Sequence, residues 1–449
     1  MSELQLSDCS VFTGGTLVGG DATFSAVGID TRQDLSGAVY FAISGENFDG
    51  HQFVVSAVEA GAVALVVEHD CGVDVPQLIV RNTRRALADI AQLWRRQYDV
   101  RIAAITGSNG KTTVKEMLAS ILSLEGAVLA TKGNLNNEIG VPLTLFGLNA
   151  EHRFAVVEMG ASGPGEIAYL AAIAEPFAAV VNNVGPAHLE GFGTLQGVAD
   201  AKGEIFEHLP AEGFALVNAD EFAASEWVER TVQGHVLRFG FAGEDVDIKG
   251  ESLGLQKLRI SQRGESREVQ VSLLGQHNLR NALTAAATAR AMGASWDSVV
   301  KGLERVQPVA GRLVEQEVGG VRVIDDTYNA NLGSVEVALE LLSGYSPQRW
   351  FVLGTMAELG AQAEEMHAKS GRLAAALGID RFVCVGEYAV AARRGFGPKG
   401  LAFEKHEELL EELCSLVKPG DTVLIKGSRS AGMERVAGGM LKALGGHCV

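Results

Sequence analysis

The sequence predicts an α/β protein of three domains, the central one a parallel sheet built around a P-loop and the C-terminal one Rossmann-like. Three observations lead there. At 449 residues the chain exceeds what one hydrophobic core ordinarily holds. Short apolar runs alternate with helical patterns along most of its length, as in parallel sheets covered on both faces. One apolar run, residues 102–105, passes straight into Thr106-Gly107-Ser108-Asn109-Gly110-Lys111-Thr112-Thr113 and then into an amphipathic helix.

The first block, residues 1–100, carries buried-strand patterns at 38–43 and 62–67. A helix over 83–98 follows, with Ala86, Ile90, Leu93 and Trp94 on one face. The second block, 101–311, opens with the P-loop strand. Its helix sets Val114, Leu118, Ile121 and Leu122 on one side. Strands are expected at 154–157, 178–181 and 215–217. A polar β-rich insertion follows at 249–274, and a helix at 278–292 closes the block. In the third block, 312–449, strands at 322–325, 350–353, 382–385 and 422–425 alternate with helices, including an acidic one at 406–417.

Composition narrows the function. A net charge of −17 argues against general nucleic-acid binding, since phosphate backbones require basic surface. No run approaches the roughly 20 apolar residues of a membrane span. Glu3 and Asp8 precede any apolar stretch, unlike a signal peptide. The five cysteines are scattered without a C-x-x-C pair, as suits a reducing compartment. A cytoplasmic monomer is expected.

The P-loop is the strongest chemical signal. Glycine allows the backbone around Gly107, Ser108, Asn109 and Gly110 to approach phosphate oxygens, and the helix N-terminus attracts the same anion. Lys111 is placed to reach the β and γ phosphates, and the Thr112 hydroxyl to bind Mg²⁺, with Thr113 beside it. The motif is a shortened variant, with Ile105 where the general P-loop has Gly.

Ligands bind at the carboxyl ends of strands in open α/β sheets, which singles out Glu158, His188 and Lys202. A carboxylate and an imidazole can hold Mg²⁺ beside a triphosphate, and a neutral lysine can take up CO₂ to become an anionic carbamate. The structural alternatives are a turn cap for Glu158, a loop histidine for His188 and a solvated helix residue for Lys202. Asn278 and Asn281, one turn apart, can pair with adenine, although Asn278 also suits a helix N-cap. Asp326 can accept from ribose hydroxyls or hold a lysine. Lys426 and Arg429, ahead of a helix, suggest a site for a carboxylate. Arg312 is placed to complete the nucleotide site from outside the central domain.

With these motifs assembled, the chain resembles the Mur ligases over almost its whole length, and especially the branch of that family that adds D-Ala-D-Ala. The matching segments are residues 30–32, 45–51, the T-G-S-N-G-K-T-T loop, 133–140, 277–281, 326–331, 356–360 and 426–429. The Asp-Asn-Pro-Arg segment of the diaminopimelate-adding branch does not occur, and Thr355 stands where many members carry Asp.

The resemblance implies an ATP-dependent ligase that phosphorylates the carboxylate of UDP-MurNAc-tripeptide and transfers the acyl group to D-Ala-D-Ala. It implies ATP contacts from residues 107–113, Asn278, Asn281, Arg312 and Asp326. Lys111, Glu158, His188 and Lys202 would be catalytic. Thr112, Glu158, His188 and a carbamylated Lys202 would hold magnesium. Thr31, Arg32, Asn47, Asp49, His51, Asn134, Asn137, Asn329, Asn331, Lys426 and Arg429 would face the two substrates.

Overall fold

The computed structural model describes residues 3–446 apart from 46–47, 187–188, 244 and 347, so the predicted site residues Asn47 and His188 lie outside the described residues. Three main sheets follow one another along the chain, with a two-strand ribbon near the start (Leu4–Gln5 with Thr23–Phe24).

The first sheet runs Thr16–Val18, Gln77–Ile79, Ala64–Val67, Ala38–Phe41, Ala26–Gly28. Ala38–Phe41 and Ala64–Val67 are buried at every position, which explains their unbroken apolar sequence. The Thr83–Arg95 helix buries Ala86, Ile90 and Trp94, the expected stripe, and ends three residues before the expected position 98. Its Trp94 indole donates to Leu148 O at 3.2 Å, tying the first block to the second.

The second sheet has nine strands, and the P-loop strand Arg101–Thr106 lies between Ala178–Val181 and His152–Glu158. These pairings are parallel, so Thr106, Glu158 and Val181 end on the same edge. The Lys111–Leu122 helix packs Val114, Leu118, Ile121 and Leu122 into the core, beneath the Gln276–Ala291 helix. The polar insertion forms Ile248–Ser252, Lys257–Gln262 and Glu265–Gln270. It extends this sheet as an antiparallel meander.

The third sheet runs Val314–Val318, Val321–Asp326, Thr422–Lys426, Arg349–Leu353, Arg381–Val385, Leu401–Phe403. Only the first pairing is antiparallel. Chain order reverses around Thr422–Lys426, the position where open α/β sheets form a ligand crevice. Parallel register sets Asp326 directly beside Lys426 there. The ligand edges of the second and third sheets face a common cavity.

Candidate active site

The cavity, of about 1040 Å³, is walled by the P-loop, the 134–138 loop, the ends of Ala178–Val181 and Phe214–Asn218, the start of the Gln276–Ala291 helix and the third sheet. The P-loop takes its shape from two glycines in backbone regions closed to other residues, Gly107 at φ 153° and Gly110 at φ 77°. A Cβ on Gly110 would lie 2.4 Å from Asn281 Oδ1 and 2.7 Å from Asn182 Nδ2. Glycine is therefore required on the protein side of the loop as well as on the phosphate side.

Asn182 and Asn183, immediately after the Ala178–Val181 strand, hold the loop. Asn183 O accepts from Ser108 N at 3.0 Å, and Asn183 Oδ1 from Asn109 N at 2.8 Å. Asn182 Nδ2 donates to Asn109 O and to Asn281 Oδ1, both at 2.9 Å, and its Oδ1 accepts from Thr284. The Ser108 and Asn109 amides, expected to face phosphate, are thus engaged by Asn183. The first helical amides of Lys111, Thr112 and Thr113 have no intrahelical acceptor, as suits an anion at a helix N-terminus. Lys111 Nζ donates back to Gly107 O at 2.7 Å, and burial lowers its pKa. That lone carbonyl partner is one a phosphate oxygen can replace.

Thr112 and Glu158 meet at the loop mouth. The Thr112 hydroxyl donates to Glu158 Oε2 at 2.8 Å, and Asn136 Nδ2 donates to Glu158 Oε1 at 2.8 Å. Glu158 is buried, and its own amide donates to Thr131 Oγ1 at 3.0 Å. Hydroxyl and carboxylate oxygens are the hard donors Mg²⁺ takes alongside phosphate oxygens and water. Among the described residues no three His, Cys, Asp or Glu form a closed metal cage. An open, phosphate-completed site fits that donor set. Lys202 is buried on the Leu195–Gly203 helix, its Nζ 5.8 Å from the Phe192 ring centre. Desolvation, aided by the charge of Lys111, pulls its pKa down to about 7. It is not the solvated helix residue of the structural alternative.

From the third block, Arg312 Nη2 donates to the Thr112 hydroxyl at 2.9 Å, its guanidinium 4.0 Å from the Tyr328 ring centre. Asn331, which caps the Leu332–Ser343 helix, donates to Asn109 Oδ1 at 2.9 Å. Both contacts cross from the third block to the P-loop.

Several expected residues sit differently. Lys426 Nζ donates to Asp326 Oδ2 at 2.5 Å and to Asn329 O at 2.9 Å, deep in the wall. Its charge is answered within the protein, so the anion site expected from Lys426 and Arg429 does not form as a pair. Arg429 is exposed in a 3₁₀ turn and does not line the cavity. Of the two expectations for Asp326, the structure takes the lysine. Asn278 and Asn281 line the cavity but bond to each other and to Leu274 O and Asn182. Asn134 and Asn137 also line it, and Asn137 Oδ1 accepts from Gly140 N at 2.9 Å at the start of the Gly140–Leu145 helix. Thr31, Arg32, Asp49 and His51 are on the first block, away from this cavity. Arg32 pairs with Asp30, and Asp49 accepts from Ser44 and from His51 Nδ1 at 2.7 Å.

Sequence reasoning missed Asn182, Asn183, Thr131 and Asn136. The strand-end rule that selected His188 applies equally to Asn182 and Asn183, which lie closer to the strand.

A P-loop with a buried Thr112–Glu158 hydrogen bond at its mouth, facing a second α/β domain across the cavity, defines the class. The chain belongs to the Mur ligase family: the Mur ligase family catalytic domain matches residues 23–95, the Mur ligase middle domain 105–289, and the Mur ligase glutamate ligase domain 311–429. It is 41% identical over 445 residues to the UDP-N-acetylmuramoyl-tripeptide–D-alanyl-D-alanine ligase of Escherichia coli K12, covering 97% of this chain and 98% of that one. The fold matches a crystal structure of MurF from Acinetobacter baumannii at a TM-score of 0.93 and 35% identity, covering 98% and 99% of the two chains. It matches MurF from Thermotoga maritima in complex with ADP at 0.83 and 29%, covering 94% and 98%. Within the family the chain is of the MurF type, an ADP-forming ligase of peptidoglycan precursor synthesis.

Proposed function

We propose that this chain joins D-Ala-D-Ala to UDP-MurNAc-tripeptide at the expense of ATP, working as a monomer in the cytoplasm. The observation that carries the reading is the Thr112–Glu158 pair at the mouth of the P-loop, in a cavity large enough for nucleotide and acceptor together. The names of the relatives supply the two substrates. Among the described residues no helix is long and apolar enough to cross a membrane.

In this reading residues 1–100 hold the UDP-sugar, 101–311 bind ATP, and 312–449 bring the dipeptide. Thr31, Arg32, Asn47, Asp49 and His51 serve the first task, and Asn134 and Asn137 guide the peptide toward the P-loop. The amides of Lys111–Thr113 and the Lys111 ammonium bind the β and γ phosphates, stabilising charge as it develops. Asn278 and Asn281 border the adenine, and Arg312 closes on the phosphates beside Thr112. Magnesium, when bound, would be held by Thr112, Glu158 and His188 with a carbamate on Lys202, and would screen the anionic phosphate and carboxylate from each other. The low pKa of Lys202 favours the neutral amine, the form that adds CO₂ with loss of one proton.

The carboxylate oxygen of the tripeptide attacks the γ-phosphorus and ADP leaves. The dipeptide nitrogen then attacks the acyl phosphate, a proton is lost, and phosphate departs as the amide forms. Tripeptide labelled with ¹⁸O in its acceptor carboxylate tests this directly. One labelled oxygen should appear in released phosphate; unlabelled phosphate rules out the acyl phosphate.

A further inference from the structure

Lys115, one turn into the P-loop helix, takes no part in the chemistry described for its neighbours. Its side chain is 2% exposed, on a helix whose adjacent buried positions, Val114, Met117 and Leu118, are apolar. A charged lysine is unfavourable to bury unless it is paired, and an apolar residue would pack there without that penalty. The reason for a lysine lies in what its ammonium group touches. Nζ donates to Thr131 O at 2.7 Å and pairs with the half-exposed Glu116 carboxylate at 2.9 Å.

Thr131 is the first residue beyond the Ala127–Ala130 strand, where the chain leaves the sheet for the 134–138 loop. Its amide donates to Val156 O at 3.0 Å, and its hydroxyl accepts from Glu158 N at 3.0 Å. Thr112 and Lys115 are three residues apart and share a face of their helix. The contacts therefore close a ring. Thr112 holds the Glu158 carboxylate, Thr131 holds the Glu158 amide, and Lys115 ties Thr131 back to the helix that carries Thr112. The same anchor sets where the 134–138 loop departs, and with it Asn136, which donates to the second carboxylate oxygen at 2.8 Å.

We propose that Lys115 is a positioning residue: acting through Thr131, it fixes the Glu158 carboxylate where a divalent cation on the ATP phosphates meets it. This rests on the reading of Thr112 and Glu158 as the magnesium pair. Groups that orient a metal-binding carboxylate change metal affinity by about 10–100-fold when they are removed.

The test is calorimetric titration of ATP without tripeptide, in magnesium and in EDTA, for wild type, Lys115→Met, Thr131→Val and the double variant. The ratio of the two dissociation constants reports the grip on the metal. ATP should bind wild type more tightly in magnesium. Lys115→Met should shrink that gain about tenfold or more, with the affinity in EDTA close to wild type because the loop and Lys111 are unaltered. A merely structural loosening of the helix would instead weaken ATP equally in both buffers. Thr131→Val, which removes the hydroxyl at nearly the same shape, should reproduce the loss. The double variant should be no worse than either single one, since both residues lie on one path to Glu158. An unchanged magnesium gain in Lys115→Met or in Thr131→Val overturns the proposal and leaves the function standing, and Thr131→Val decides the matter even where Lys115→Met fails to fold. Additive losses would equally overturn it, because Lys115 would then act by another route. No magnesium gain in wild type would overturn the metal reading and this proposal with it.

Discussion

Replacing Lys426 with Met should destabilise the third domain more than any change on its surface. The Lys426 side chain is 3% exposed and its partner Asp326 14%, with 2.5 Å between Nζ and Oδ2. Burial pushes the Asp326 carboxyl pKa up, and the lysine opposes that shift. Removing one member of a buried ion pair leaves the other charge unanswered and costs about 3–5 kcal/mol. It also leaves Asn329 O without its lysine donor. Lys426→Met/Asp326→Asn removes both charges and should recover to within about 1–2 kcal/mol of wild type, because an uncharged pair needs no compensation. Hydrogen exchange at Val423, Leu424 and Ile425, fully buried in the same strand, reads the effect locally. Protection there should fall by about two to four orders of magnitude in Lys426→Met and largely return in the double variant. Equal protection in Lys426→Met and wild type would show that the pair is not what holds this edge of the sheet.

Gly110→Ala should weaken ATP binding at least about tenfold by calorimetry, since φ 77° and the 2.4 Å approach to Asn281 Oδ1 both resist a methyl group; unaltered affinity would mean the loop adapts. For Lys202 the native pKa of about 7 lies below the ordinary 10.5, so the unfolded chain binds the proton first as pH falls. Stability is therefore lost between about 10.5 and 7, and the loss is complete below 7. In CO₂-free buffer Lys202→Met should be the more stable protein at pH 7, by up to about 5 kcal/mol, and the gap should close at high pH. A pH-independent difference contradicts this. Lys202→Ala should lose turnover and regain part of it with added short carboxylic acids; full activity without them removes Lys202 from the metal site. Arg312→Ala/Asn331→Ala removes both described side-chain bonds from the third domain to the P-loop. Solution scattering should show a larger radius of gyration than wild type, and an identical profile would show that other contacts hold the domains together.

Much of the fold could be read from the chain because its signals are local. Ala64–Val67 and Ala178–Val181 are apolar throughout because parallel strands are covered on both faces. The Lys111–Leu122 helix declared its buried face by spacing alone. Thr112 and Glu158 were legible as partners because Glu158 ends a strand parallel and adjacent to Arg101–Thr106, which leads through the P-loop into the helix that begins with Lys111 and Thr112.

What resisted reading depends on pairings distant in sequence. Asp326 meets Lys426 across 100 residues, and a lone Asp does not declare whether ribose or lysine will answer it. Asn182 reaches Asn281 across 99 residues, and the two amides together crowd Gly110 from the protein side. Thr355, the departure from the family pattern expected from the sequence, acts here through its carbonyl, which accepts from Ser428 N and Oγ, so its side chain is not what that contact requires.

The central claim is that residues 107–113 grip ATP so that its γ-phosphoryl group passes to a carboxylate. Phosphate release measured with ATP, magnesium and UDP-MurNAc-tripeptide, with and without D-Ala-D-Ala, in wild type and in Lys111→Met, tests it most directly. The account predicts release that depends on the dipeptide in wild type and falls by about two or more orders of magnitude in Lys111→Met, as befits the loss of a transition-state charge contact. Release indifferent to the dipeptide, or full turnover without Lys111, would contradict it.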